Sequence, residues 1–347
     1  MNRLKLLIAF GLCVSVVAPA WAGPEPRFDA FYVFGDSLAD NGNDLIGSAQ
    51  ANYDPPVPPS VSPHRTYYRG RFSNGPVAFE YLWDFLDGKG RLEPVLQAPP
   101  TARAVNFAFG GSLSGVFSPI PGGVLVPGLL GQLQMFHDRM QGAQASRNAL
   151  FAVFTGAGEY LAYLNPAPGQ VLLTPDQVVA NIAAGVEGLY LMGARHLLVV
   201  NLPDLGRIPL AAGTPASGLL SQITSAHNAG LAAAVAGIQA AHPDFDVRLI
   251  DVGPVIAGLP ATTNQTVPAL DALFGPPAPG SLPMSLCLFT NPANCQDAPT
   301  FAVGLRFLYW DVEHPTTAVH RELAEQIYRS LTRRRAGGQA DSHRRDD

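Results

Sequence analysis

Charge is scarce in this 347-residue chain: Asp, Glu, Lys and Arg make up 14% of it, with 22 basic against 27 acidic side chains and a net charge of −5. The basic residues form no evident face, which argues against a nucleic-acid partner. Cysteine is scarcer still, at 3 residues, too few for a disulfide-built scaffold or a cysteine-ligated zinc site. Asp311, Glu313, His314 and His320 lie close in sequence, but no H-E-x-x-H or comparable ligand spacing occurs, and no metal is expected. No repeat of fixed period is present, which excludes solenoids and propellers. Beyond the first 22 residues no uninterrupted apolar run is long enough to cross a bilayer. What the chain has is apolar content: 47% of it is hydrophobic, enough to bury a sizeable core and to rule out global disorder. The 35 Gly and 32 Pro exceed ordinary usage yet stay below low-complexity levels.

The two ends stand apart from the rest. Arg3 and Lys5 precede an apolar run from Leu6 to Ala18, and Ala20-Trp21-Ala22 has the small-x-small form of a cleavage site. Residues 1–22 are therefore expected to be a secretory signal peptide, placing the mature protein in the periplasm or outside the cell. Leu12 before Cys13 does not fit a lipoprotein signal. Residues 333–347 are polar and apolar-poor and are expected to be a disordered tail. The body between, residues 23–332, carries a net charge of about −9 and would not be drawn electrostatically to an anionic membrane. Its two cysteines, Cys287 and Cys295, are expected to close a small disulfide loop in an oxidising compartment.

Within the body, short β-like runs alternate with helical patterns. Ala30–Phe34, Ala104–Phe107, Leu150–Phe154, His196–Val200 and Val247–Ile250 read as strands, and Leu129–Gln141, Pro175–Met192, Gly218–Ala241 and Thr317–Leu331 as helices. Such alternation predicts an α/β fold, a mainly parallel sheet covered by helices on both sides. Two Pro-rich segments interrupt it, Ala51–Arg71 and Leu259–Thr300. Loops of that length serve either as binding loops or lids or as plain surface insertions.

Two short motifs carry chemistry. Gly35-Asp36-Ser37-Leu38 follows the first strand directly, which sets Ser37 at the carboxyl end of the sheet, where open α/β sheets bind ligands. Gly-Asp-Ser is also ordinary turn chemistry. Near the other end stands Asp311-Val312-Glu313-His314-Pro315. A serine hydroxyl needs a base to take its proton, and that base needs a third group to hold its tautomer. Asp311 and His314 are close enough on a turn to meet, and Pro315 biases His314 out of helical geometry. The Ser…Asp…His order is that of one class of hydrolase triad, although an isolated Asp-x-x-His is commonly a surface pair.

The sequence resembles the GDSL lipase/esterase family, also called SGNH hydrolases, in particular its bacterial lecithinase/hemolysin-like branch. The matching segments are VFGDSLADNGN at Val33–Asn43, RFSNGPVAFEYL at Arg71–Leu82, NFAFGGS at Asn106–Ser112, FTGAGEYL at Phe154–Leu161, NLPDLGRIP at Asn201–Pro209 and DVEHPTTAVH at Asp311–His320. The resemblance implies a flavodoxin-like three-layer α/β/α sandwich and cofactor-free hydrolysis of acyl or lipid esters. It implies Ser37 as nucleophile, His314 as base, Asp311 as orienting acid, and the backbone N–H groups of Ser37 and Gly111 as oxyanion donors. The G-x-S-x-G elbow of the α/β-hydrolases occurs nowhere in the chain.

One departure stands out. The family's third oxyanion donor is an Asn side chain in a Gly-x-Asn-Asp block, and the matching segment here reads Gly156-Ala157-Gly158-Glu159. Gly158 has no side chain to donate. The enzyme then works slowly with two donors, fills the gap with water or another residue, or has become a non-catalytic binding protein. A carbohydrate or short-chain acetyl esterase is the alternative within the same chemistry. Glu159 is expected to face solvent at a helix start, with reaching into the site as the alternative, and His320 to be exposed on the last helix. Tyr67, Tyr68 and Phe72 are candidates either for an acyl pocket or for loop packing, and the remaining histidines, His64, His137, His196, His227 and His242, suggest no role.

Overall fold

The computed structural model describes residues 28–120, 124–166, 171–258, 287–289, 291–297 and 308–333. The expected signal peptide, the tail beyond Arg333 and most of the second Pro-rich segment lie outside the described residues.

The apolar runs assemble into one parallel sheet. Strands β1 (Ala30–Gly35), β2 (Glu93–Pro94), β3 (Ala104–Asn106), β6 (Ala149–Phe154), β7 (His196–Val200) and β8 (Asp246–Ile250) stand in the order β2-β3-β1-β6-β7-β8. Every pairing among them is parallel. β1 and β6 are buried along their whole length, which is why both read as continuous apolar runs rather than alternating ones. Separately, β4 (Phe117–Ile120) and β5 (Val124–Pro127) form an antiparallel hairpin.

Alternation along β1 divides its side chains between two helical layers. Phe31 meets Phe79 and Trp83 of α2 (Ala78–Phe85), whereas Tyr32 and Phe34 meet Phe136 of α3 (Leu129–Met140). Helices α3, α5 (Pro175–Leu191) and α6 (Ser217–Ala241) pack together, and so do α2, α7 (Gly253–Gly258) and α8 (Thr317–Arg333). The result is the expected three-layer α/β/α sandwich. Each large ring buried between the layers contributes about 1.5–3 kcal/mol.

Differences from the sequence reading are local. The sequence analysis did not anticipate α1 (Asn43–Gln50), α2, β2 or the β4–β5 hairpin. α1 begins inside the Gly- and Asn-rich Asp40–Asp44 segment, where the Asp40 carboxylate accepts the N–H groups of Gly42, Asn43 and Asp44. That side chain supplies the cap that the propensities of the segment do not. α8 runs two residues past Leu331, through Arg333, within the scatter of helix ends.

The chain leaves β1 for β3 on one side and returns to β6 on the other, so the strand order reverses beside β1. Loops splay apart at such a switch point and leave a crevice beyond the strand ends. Ser37 follows β1 and the Gly156–Glu159 segment follows β6, both at this crevice.

Candidate active site

Three separate loops build the site. The first turns sharply after β1, where a Cβ on Gly35 would collide with the Phe154 carbonyl, so only glycine allows the strand end this close to β6. Gln132 of α3 fixes that end: its amide accepts from the N–H of Gly35 at 2.8 Å and donates to the Gly35 carbonyl at 2.8 Å. It also donates to Ser112 Oγ at 2.7 Å, tying the first loop to the second.

The third loop precedes α8. Tyr309 bridges Pro315, Trp310 N–H donates to the His314 carbonyl at 2.7 Å, and Thr316 N–H donates to the Leu308 carbonyl at 2.8 Å. Inside this tight turn Asp311 Oδ1 accepts the N–H groups of Glu313 and His314, at 2.9 and 2.7 Å. The Arg71–Leu82 segment braces the turn from outside. Ser73 Oγ donates to the Pro315 carbonyl, and Asn74 Oδ1 accepts from Thr317 N–H at the start of α8.

The two ends of the chain meet here. His314 Nε2 lies 2.8 Å from Ser37 Oγ, and His314 Nδ1 lies 2.7 Å from Asp311 Oδ2. Tyr67 donates its phenol to the same Asp311 oxygen at 2.8 Å. Asp311 and His314 are buried, while Ser37 is half-buried and reaches a cavity of about 110 Å³. Leu161, Leu205, Ile208, Val252, Ile256 and Leu323 make one side of that cavity apolar. Among the described residues lining it there is no Lys or Arg.

Electrostatics follow from that burial. Burial by itself would lower the His314 pKa, but the adjoining Asp311, with Glu313 and Asp36 nearby, outweighs it and raises it to about 9. Burial pushes Glu313 up to about 7, and does the same for Asp36. An imidazole beside a buried carboxylate can take a proton from a hydroxyl and keep it while charge develops on a substrate oxygen.

Comparison with known proteins decides the lineage: residues 31–327 match the GDSL-like Lipase/Acylhydrolase family. The chain belongs to that family and is a carboxylic ester hydrolase. Among its relatives, a phosphatidylcholine-sterol acyltransferase of Aeromonas hydrophila is 27% identical over 88% of this chain and 90% of its own length. A GDSL esterase/lipase of Arabidopsis thaliana is 26% identical over 87% of this chain and 89% of its own. Among solved structures, an acetylxylan esterase from Geobacillus stearothermophilus aligns with a TM-score of 0.44 at 10% identity, over 89% of this chain and 96% of that one.

The family's oxyanion positions converge on the same cavity, which Ser37, Gly111 and Gly158 all line. Gly111 takes a left-handed backbone, φ 70°. Among the described residues neither its N–H nor that of Ser37 is bonded to another group. Gly158 lies in α4 (Ala157–Leu161). A Cβ there would meet the Cδ2 tip of Leu113 at 2.9 Å and otherwise only the Ser112 carbonyl at 3.7 Å.

Two expectations are overturned. Glu159 does not face solvent; it is buried, and one of its carboxylate oxygens accepts the N–H of Ser114. The turn after β6 points it inward against the Ser112–Ser114 loop, where burial raises its pKa. His320 is likewise buried, because α8 presents this face to the cavity, and burial lowers its pKa to about 3.

Tyr67, Tyr68 and Phe72 do not line the cavity. Tyr67 and Phe72 are buried behind it: Tyr67 orients Asp311, and Phe72 lies tilted against the His314 ring at 5.1 Å. Cys287 and Cys295 are disulfide-bonded. The bond encloses Phe289, which stacks over His314 with ring centres 6.1 Å apart. The first Pro-rich loop clasps this segment, with His64 Nδ1 2.9 Å from the Cys295 carbonyl and Arg65 N–H donating to Asp297 at 2.8 Å. Gln132 is a supporting residue that sequence reasoning missed, and Tyr67, a candidate there for pocket or packing, instead bonds Asp311. A lone Gln or Tyr carries no spacing signal.

Proposed function

We propose that this protein is an exported serine ester hydrolase acting on acyl esters, lipid esters foremost, through an acyl-enzyme. Ser37 Oγ attacks the ester carbonyl as His314 Nε2 takes its proton. The negative charge on the carbonyl oxygen is met by the N–H groups of Ser37 and Gly111. His314 then returns the proton to the departing alcohol, leaving the acyl group on Ser37. Water enters, gives its proton to the same nitrogen and releases the acid. Asp311 holds the Nδ1 proton throughout and keeps the imidazole in the required tautomer.

The observation that carries this reading is the unbroken contact from Ser37 through His314 to Asp311, opening on an apolar cavity. The lining favours an acyl chain over a sugar. The similarity to a phosphatidylcholine-sterol acyltransferase favours a lipid. Gly158 leaves the oxyanion with two backbone donors, and the enzyme is correspondingly slow. The disulfide is consistent with export.

A panel of p-nitrophenyl esters from acetate to long acyl chains tests the reading, with Ser37→Ala as control. Turnover should increase beyond acetate and vanish in the control. Activity on acetate alone would favour an acetyl esterase, and no Ser37-dependent activity on any ester would favour a binding protein on the same scaffold.

A further inference from the structure

Glu313 has no part in the relay just described, yet it shares the cavity with it. Its Oε1 lies 3.5 Å from His314 Nε2, the nitrogen that faces Ser37 Oγ. Its side chain keeps 18% of its surface exposed, all that separates it from full burial, and it lines the cavity beside Ser37. Among the described residues its carboxylate has no other polar partner. An acid placed this way, with no Lys or Arg among the described residues lining the cavity, has one nearby positive charge to act on there: the imidazolium.

We propose that Glu313 is a positioning residue that holds the proton on His314 Nε2 and thereby moves the enzyme's activity toward alkaline pH. The proposal rests on His314 being the general base of Ser37. The groups facing His314 are Ser37 and Asp36 from the loop after β1, and Asp311 and Glu313 from its own turn. Tyr67 acts through Asp311, and His320 on α8 is held neutral by burial. Among the described residues Glu313 and Ser37 reach Nε2, and Asp311 engages Nδ1. Asp311 therefore fixes the tautomer and supplies the larger share of the charge that holds the proton, while Glu313 adds its charge at the reactive nitrogen itself.

The sign follows directly. Protonated His314 cannot accept the Ser37 proton, so kcat/KM rises with pH through the His314 pKa, near 9 in the intact site. Removing a carboxylate within about 4 Å of a cation lowers that pKa by about 1–3 units. Glu313→Gln keeps the shape and removes the charge. Its acid limb should lie at least about one unit lower, making the variant about tenfold faster at neutral pH. Above the wild-type midpoint the order should reverse, because a less basic imidazole is a weaker general base. Few substitutions beside a catalytic base produce crossing pH profiles.

The decisive experiment is an NMR titration of the His314 ring nitrogens in wild type and in Glu313→Gln. It reads the proton without needing turnover, so an inactive enzyme and a wrong assignment of Glu313 give different results. A midpoint lowered by at least about one unit in the variant supports the proposal, and an unchanged midpoint overturns it. Should Glu313→Gln not fold, the wild-type carboxyl carbon of Glu313 supplies the second measurement. Two coupled steps shared by Glu313 and His314 support the proposal, and two independent single titrations overturn it.

Discussion

Behind the cavity wall formed by Glu313 and His314, Asp311 is surrounded by four donors, the N–H groups of Glu313 and His314, the His314 ring and the Tyr67 phenol; in the wall that follows β6, Gly158 offers no side chain at all. The first arrangement is over-determined. Loss of any one donor leaves three to hold the carboxylate, and the carboxylate holds the base. The second is sparse: among the described residues, the candidate donors there are the free N–H groups of Ser37 and Gly111. The contrast suggests that proton transfer is the well-built half of this enzyme and charge stabilisation the weak half.

Substitutions can break or sharpen that contrast. The largest effect is expected at the over-determined wall's one irreplaceable group. Asp311→Asn removes the tautomer control and should lower kcat by about 10⁴-fold in a steady-state ester assay, with KM little changed. At the sparse wall the effect should run the other way. Gly158→Asn restores a donor at a position where only the movable tip of Leu113 stands close. If its amide reaches the oxyanion, kcat should rise by up to about 10²–10³-fold, with a smaller change in KM. A flat response in a folded variant would mean that another group already serves there.

Redundancy predicts a milder outcome at Tyr67. Tyr67→Phe removes one of four hydrogen bonds to Asp311 and should cost about 1.5–3 kcal/mol of stability by denaturant titration. Its kcat should fall far less than that of Asp311→Asn. A fall equal to that of Asp311→Asn would show that the phenol, rather than the turn, orients the carboxylate.

A last effect concerns stability and pH. Asp36 is buried, one of its oxygens has no partner, and its pKa is pushed up to about 7 from an ordinary 3.8. Between these values the folded protein holds a proton that the unfolded chain has lost, so stability falls as pH rises through that window. Asp36→Asn should therefore raise Tm at pH 8 and change it little near pH 4. An equal gain at both would assign the effect to packing instead.

Legibility followed the length scale of the signal. β1, β6 and β7 were readable because fully buried strands make continuous apolar runs, and α5 and α6 because they are long and periodic. α1 and α2 were not, since eight-residue helices among Gly, Pro and Asn depend for their definition on single capping side chains, Asp40 for α1 and Glu80 for α2. Ser37, Asp311 and His314 stood out through motif and order, and the fold brings them together. Tyr67 and Gln132 act through contacts between segments distant in sequence, which no local pattern encodes. The same reason explains the two misplaced side chains. Whether Glu159 and His320 face water or the interior depends on what packs against their helices, and that is decided by the Ser112–Ser114 loop and the cavity wall.

The account stands on Ser37 being the nucleophile activated by His314, and covalent labelling tests this most directly. Incubation with a p-nitrophenyl alkylphosphonate, followed by intact-mass and peptide analysis, should show one phosphonyl group per chain, attached at Ser37. The labelling should be lost in Ser37→Ala and strongly slowed in His314→Ala. A folded protein that takes up no label, or carries it on another residue, would contradict the account.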